Sequence, residues 1–332
     1  MSTSSGEVRA LETPGAPRGL LLPDEPPPPG GAPILEPRAR SQWELIFRRF
    51  LRHRLAVFSL VVLVVLYIIV TFPHIFAPYA LNPKNLPLSA ANHGPSLKHF
   101  FGTDELGRDQ TTRIMYAAHV SMTIGIMVAI FSTVIGTLVG ATAGYFGGWV
   151  DQLLMRITDL FLIVPGIAVI AMAMQGLSNR NWPLIGHIST VTLIIAIMSV
   201  LFWQTIARVV RGLFLSIKEK EFVDAARASG ARSSRIMFRH ILPNVIGPIV
   251  VNATLVVAYA ILLESALSFL GFGVKPPAVS LGSMLSQSES SVGTHTAYLI
   301  YYPGLALLVI VLGVNFLGDG LRDALDPQSV KH

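Results

Sequence analysis

Six stretches, each about the length an α-helix needs to cross a bilayer, constrain this chain before any motif is read. They lie at about 55–76, 118–144, 153–175, 188–207, 245–270 and 297–318. "LAVFSLVVLVVLYIIVTF" at the first and "AYLIYYPGLALLVIVLGVNFLG" at the last are continuous in apolar character. The third and fifth carry prolines and ionisable groups, so their ends are the least defined. Hydrophobic residues make up 52% of the 332 and charged ones 13%, about half the usual globular share of roughly 25%. The mean hydropathy is +0.58. The expectation is an all-α integral membrane protein of six transmembrane helices.

Residues 1–40 are of another kind. They hold nine prolines and five glycines, with the run Pro26-Pro27-Pro28-Pro29-Gly30-Gly31. Such a segment buries too little apolar surface to offset its ordering entropy and is expected to be a disordered cytoplasmic tail. Its one apolar patch, Leu20-Leu21-Leu22, is shorter than the core of a secretory signal. The remainder divides into 41–117, with the first span and a long outer loop, and 118–327, with the other five spans.

The Lys/Arg bias sets the expected orientation. Residues 38–54 carry six arginines against the single acid Glu44, and residues 208–239 carry eight basic residues against three acids. Six spans put these two segments on one side. The segments 176–187 and 271–296 hold one basic residue each, Arg180 and Lys275. Both termini and the 208–243 loop are therefore expected on the cytoplasmic side, and the net charge of +6 is read as topology rather than as a nucleic-acid patch.

Within that loop runs "EFVDAARASGARSSRIMFRHILPN", residues 221–244. Ser216 and Glu219 fit a capping box. A helix is expected through "EKEFVDAARAS", with Phe222, Ala225, Ala226 and Ser229 on one face. Gly230 is placed to end it in the left-handed conformation. A second short helix follows, and Pro243 opens the fifth span while interrupting what precedes it. The result is a helix–turn–helix paddle, a solvated connector or a docking surface.

The residues themselves resemble a known family. Asp224-Ala225-Ala226, three residues, Gly230 and the ending Leu242-Pro243 are similar to the Glu-Ala-Ala loop of ABC-importer permeases. Asp224 stands where that pattern has Glu, and His240 where it has Ile, with Ile241 beside it. "FGTDELGRDQTTRIMYAAHVSMTIG" at 101–125 looks like the Gly-Thr-Asp-x-x-Gly-Arg-Asp block of the C-type subunit of peptide, opine and nickel importers. "RRFLRHRLAVFSLVVLVVLY" and "ESALSFLGFGV" resemble its first and fifth spans. The similarity covers about residues 45–327.

The resemblance implies a permease that forms half of a pore for oligopeptides or dipeptides. Nickel, opines, glutathione and haem are alternative cargoes of such systems. The implied partners are a second permease, two cytoplasmic ATPase subunits carrying ATP and Mg, and an extracytoplasmic solute-binding protein. The chain itself would bind no cofactor. ATPase coupling would fall to the loop, through Glu221, Asp224, Ala225, Ala226, Arg227, Gly230, Arg232, Arg235, Leu242 and Pro243. A bacterial inner membrane is the implied location.

A catalytic reading finds little footing. No Gly-Lys pair exists to complete a phosphate-binding loop, no cysteine is present, and no His-Glu-x-x-His occurs. A membrane-embedded enzyme built on Glu264, Asp159 and histidines is the remote alternative. In the spans, Glu264, Asp159, Arg156 and Asn252 are pore or gate candidates, because ionisable groups in lipid are costly. Arg156 and Asp159, three apart, are expected to pair on one helix face, and Glu264 is either pore-facing or hydrogen-bonded in place. Gly136, Gly140, Gly144 and Gly148 form a small-residue stripe suited to close helix packing. In the outer loop, Gly102, Asp104, Gly107, Arg108 and Asp109 suit a tight turn feeding a short interfacial helix. That block is either structural or a contact for the binding protein.

Overall fold

A computed structural model describes residues 42–83, 91–177 and 188–325. The expected tail at 1–40, Arg180 and residues 326–327 lie outside the described residues. The chain folds into helices: α1 Gln42–Arg52, α2 Arg54–Thr71, α3 Pro73–Phe76, α4 Gln110–Phe146, α5 Gly148–Ile163 and α6 Gly166–Leu177. There follow α7 Thr190–Ile217, α8 Glu221–Ala228, α9 Ser233–Arg235, α10 Leu242–Phe269, α11 Leu281–Gln287 and α12 Tyr298–Leu325. Among the described residues, five helical stretches are long and apolar enough to cross a membrane, and there are six if α5 and α6, bent by 79°, are taken together as one span.

The sequence pattern located all six but misjudged several ends. The second span starts at Gln110 rather than near 118, because Asp109 caps it by accepting from the Thr112 N–H at 2.7 Å. The separate interfacial helix expected there is the first turns of α4. The fourth span runs on to Ile217, so residues 208–217 are helix and not loop. Ser216 therefore lies inside α7. Lys220, which makes no side-chain cap, precedes α8 instead, and the capping box does not form.

The third span is broken, and its sequence says why. Pro165 offers no N–H to a helix, and Val164 before it is extended, as the crowding of a proline ring demands. Pro243 has a milder effect than expected. Residues Ile236–Ile241 form a π-helical stretch, in which the Leu242 N–H reaches back five residues to the Met237 carbonyl. The wider winding absorbs the missing proline donor, and Ser233–Phe269 runs as one helical stretch.

The most extensive helix–helix packing in the fold joins α4 to α7. A Cβ on Gly136 would lie 2.5 Å from the Trp203 carbonyl oxygen, and one on Gly144 would lie 2.7 Å from Phe214 Cβ. At Gly140 it would overlap the Ala207 carbonyl. The stripe is thus an intrachain seam. Gly148 is not part of it: it begins α5 with φ +55° and open space around it. Gly125 extends the close contacts to α10, where an added Cβ would meet Ile261 at 2.5 Å.

Two apolar cores fill the bundle. Leu63, Met122, Ile261, Ile310 and Val314 join α2, α4, α10 and α12. Ile124, Ile170, Met198 and Leu263 join α4, α6, α7 and α10. Large apolar side chains also face outward on the spans, among them Phe58, Val134, Tyr259 and Leu305. In water that surface would be a liability, whereas a bilayer solvates it.

Candidate functional site

The paddle hangs from α7 and α10 by its own small core. Val223, Ile236 and Ile241 are fully buried, and they pack with Phe214 and Val210 of α7 and Val245 and Ile249 of α10. Ala226 and Leu242 join that cluster half-buried. The inward face is therefore Val223 and Ala226. Of the four residues expected on one face, Phe222, Ala225 and Ser229 are exposed together, while Ala226 turns half-buried against the core.

Gly230 ends α8 as its sequence position indicates, with φ +77°. The Ala231 N–H donates to the Ala226 carbonyl at 3.1 Å and the Gly230 N–H to Arg227 at 3.0 Å, the paired bonds of a Schellman cap. Lys218 ties the base of the paddle to the bundle by donating to the Gly144 carbonyl at the end of α4, at 3.2 Å.

What the paddle presents outward is Glu221, Phe222, Asp224, Ala225, Arg227, Arg232, Arg235, Phe238 and Pro243. Asp224 and Arg227 satisfy each other at 2.9 Å. Two aromatic side chains, Phe222 and Phe238, are 44% and 49% exposed amid these charges. A rigid helical element bearing exposed aromatics and arginines is the composition of a protein-docking surface. Phe238 was not singled out from the sequence.

The charged span residues are placed differently from expectation. Asp159 pairs with Arg208 of α7 at 2.5 Å, and Arg156 is exposed and makes no ion pair among the described residues. The i, i+3 spacing allowed the expected pair, but the neighbouring helix supplied a better-placed guanidinium. One turn further along α7, Arg211 grips Asp151 with both carboxylate oxygens engaged, one at 2.6 Å. Asn252 is half-buried and donates to the Pro248 carbonyl of its own helix at 2.8 Å.

Glu264 is fully buried within this chain and hydrogen-bonded in place. Its carboxylate accepts from Ser121 of α4 at 2.9 Å and from Ser268 at 2.6 Å. Ser121 Oγ in turn accepts from the Leu281 N–H at 3.3 Å, and Ser280 Oγ lies 3.1 Å from Ser268 Oγ. One carboxylate thus organises the hydroxyls that hold the start of α11 against α4 and α10.

The block from 101 to 113 is a compact roof over the opposite end of the bundle from the paddle. Gly102 and Gly107 have φ +77° and +75°, and a Cβ on Gly102 would strike the Tyr298 ring at 2.6 Å. Asp104 accepts from the N–H groups of Leu106 and Arg108, from Arg108 Nε at 2.7 Å and from Arg113 Nη1 at 2.5 Å. Asp109 contacts His99 at 2.9 Å while capping α4. The Tyr298 hydroxyl lies 2.8 Å from the Thr103 carbonyl, and Gln110 donates to Leu299 at 3.2 Å, fixing the block to α12.

Comparison with known proteins gives this arrangement a context. Residues 136–331 match the family described as binding-protein-dependent transport system inner membrane component. Residues 41–95 match the N-terminal TM domain of oligopeptide transport permease C. The oligopeptide transport system permease protein OppC of Mycobacterium tuberculosis is 39% identical over 289 residues, covering 87% of this chain and 96% of that protein. The dipeptide transport system permease protein DppC of Alkalihalophilus pseudofirmus is 37% identical over 313 residues, covering 93% and 96%. Among solved structures, an inward-facing form of the MetNI methionine ABC transporter aligns with TM-score 0.52 at 19% identity, over 65% of this chain and 97% of that one. At that identity the likeness speaks for the fold.

Proposed function

The chain belongs to the family of binding-protein-dependent transport system inner membrane components, and from that premise we propose that it forms half of the pore of an ATP-driven peptide importer. The chain is a multi-pass membrane permease subunit. A second permease completes the pore, two ATPase subunits dock on the paddles, and an extracytoplasmic binding protein delivers peptide. ATP and Mg stay on the ATPases. The paddle side, which also bears α1 and its arginines, faces the cytoplasm, in keeping with the Lys/Arg bias of 38–54 and 208–239. Peptide is the cargo named for the relatives above, and it is the reading carried here over nickel, opines, glutathione or haem.

One observation carries the coupling role. The paddle is short and regular, closed by a Schellman cap and clamped to α7 and α10 through Val223, Ile236 and Ile241. A displacement imposed on its outer face therefore passes into two spans as a unit. In this role Phe222, Phe238 and Ala225 meet the ATPase, and Glu221, Asp224, Arg227, Arg232 and Arg235 supply its charged rim. Val223, Ala226, Gly230, Leu242 and Pro243 hold the shape.

The test is uptake by the reconstituted importer carrying Gly230→Val. A β-branched residue at φ +77° is strained whatever the surroundings. The proposal expects peptide uptake to fall at least tenfold while the two permeases still copurify. Unchanged uptake with a distorted cap would contradict it.

A further inference from the structure

Beside the roof formed by the 101–113 block, the structure holds a cavity of about 290 Å³. Its walls are Arg108 and Arg113 from the block, Gln287 from the end of α11, Asn82, and the turn Pro276–Val279. No carboxylate lines it among the described residues. Asp104 lies behind the two guanidiniums and serves both, at 2.7 Å to Arg108 and 2.5 Å to Arg113.

The charge does not balance. Two cations share one anion, and Arg113 is 8% exposed at its side chain, so water compensates it poorly. Its remaining contact is neutral, Nη2 to Gln287 Oε1 at 2.8 Å. Arg108 spends only Nε on Asp104, and its two terminal amino groups make no hydrogen bond among the described residues. An arginine whose terminal edge is open presents a planar fork matched to a carboxylate. Leu81, Ala278, Val279 and the two prolines give the same cavity apolar walls beside the fork. A carboxylate on a short methylene stem fits both surfaces.

We propose that this cavity binds a carboxylate, with Arg108 as the fork, Arg113 as the fixed positive base and Gln287 as the positioning amide. We assign as its occupant an acidic side chain of the protein that docks on this face. That assignment of occupant rests on the importer reading, in which this face is extracytoplasmic. The carboxylate chemistry stands on the cavity alone.

The experiment uses the permease complex in nanodiscs and two probes, glutarate and its uncharged diamide. Saturation-transfer difference NMR suits the weak binding expected of a lone side-chain mimic. Glutarate is expected to give a saturable signal and the diamide none. Arg108→Gln should weaken the signal at least tenfold, and Arg108→Lys should fall between, because an ammonium keeps the charge but not the fork. Thermal unfolding of each variant guards against misfolding. Docking of the solute-binding protein is then measured by fluorescence anisotropy. Arg108→Gln should weaken it at least tenfold, and millimolar glutarate should compete. A glutarate signal that is absent, or equal in Arg108→Gln, overturns the site. Docking that ignores both Arg108→Gln and glutarate overturns the occupant while leaving the importer reading intact. A wild-type complex that docks no binding protein removes the importer reading and the occupant together.

Discussion

At the scale of single residues, two contrasts are sharp enough to test. Gly140 sits where a Cβ would overlap the Ala207 carbonyl, whereas Gly212 on the facing helix has nothing within 4 Å of its added Cβ. Gly140→Ala is expected to destabilise by about 1–3 kcal/mol, since the helices must part to admit it. Gly212→Ala is expected to be neutral or slightly stabilising, because alanine is the better helix former by about 1 kcal/mol. Thermal unfolding in detergent reads both. Glu264→Ala removes the acceptor of two buried hydroxyls, a change worth about 1–3 kcal/mol. Its specific consequence is release of α11. The natural chain has no cysteine, so a lone Ser283→Cys reports on that helix. Labelling by an impermeant maleimide should rise several-fold when Glu264→Ala is added, and Glu264→Gln should sit nearer wild type, because its amide oxygen keeps one acceptor. Equal labelling in all three would remove Glu264 as the anchor.

At the scale of elements, α5 is bound to α7 through two ion pairs of unequal burial. The side chains of Arg211 and Asp151 are 34% and 15% exposed, against 52% and 45% for Arg208 and Asp159. Exposed pairs contribute about 0.2–1 kcal/mol, and the less exposed, two-point pair should exceed its neighbour. Double-mutant cycles on Asp151–Arg211 and Asp159–Arg208, read by unfolding, are expected to give the larger coupling for the first. The reverse order would place the bond to α7 at the other end of α5. These pairs also show where reading the sequence stops. Spacing along one helix is visible in the chain, so Arg156 and Asp159 looked like partners. The competing arginine lies 49 positions away and is brought in only by helix packing. Gly230 and the small-residue stripe were legible for the opposite reason. Each encodes a local backbone need, a left-handed cap or a close approach, that survives whatever the tertiary context. Pro165 carried its signal too, in the extended residue it forces before it, yet an apolar run of the right length concealed the break. The π-helical winding before Pro243 has no pattern of its own in the residues.

At the scale of the whole molecule, the apolar runs mark out the spans, the family match makes the chain a permease subunit, the charge bias argues for a cytoplasmic paddle, and the paddle gives the bundle a handle. The central claim is that an ATPase grips that handle on the cytoplasmic side. The cysteine-free background allows a direct measurement. A single Phe222→Cys is introduced, the importer is expressed in full, and inside-out membrane vesicles are treated with a short bifunctional thiol–amine cross-linker. The account expects one major adduct, identified by mass spectrometry as an ATPase carrying a phosphate-binding loop, formed by Phe222→Cys and not by an outer-loop control such as Leu106→Cys. An introduced thiol at position 222 that labels readily from the cytoplasmic side yet captures no ATPase would contradict it, as would labelling of that thiol only from the opposite face.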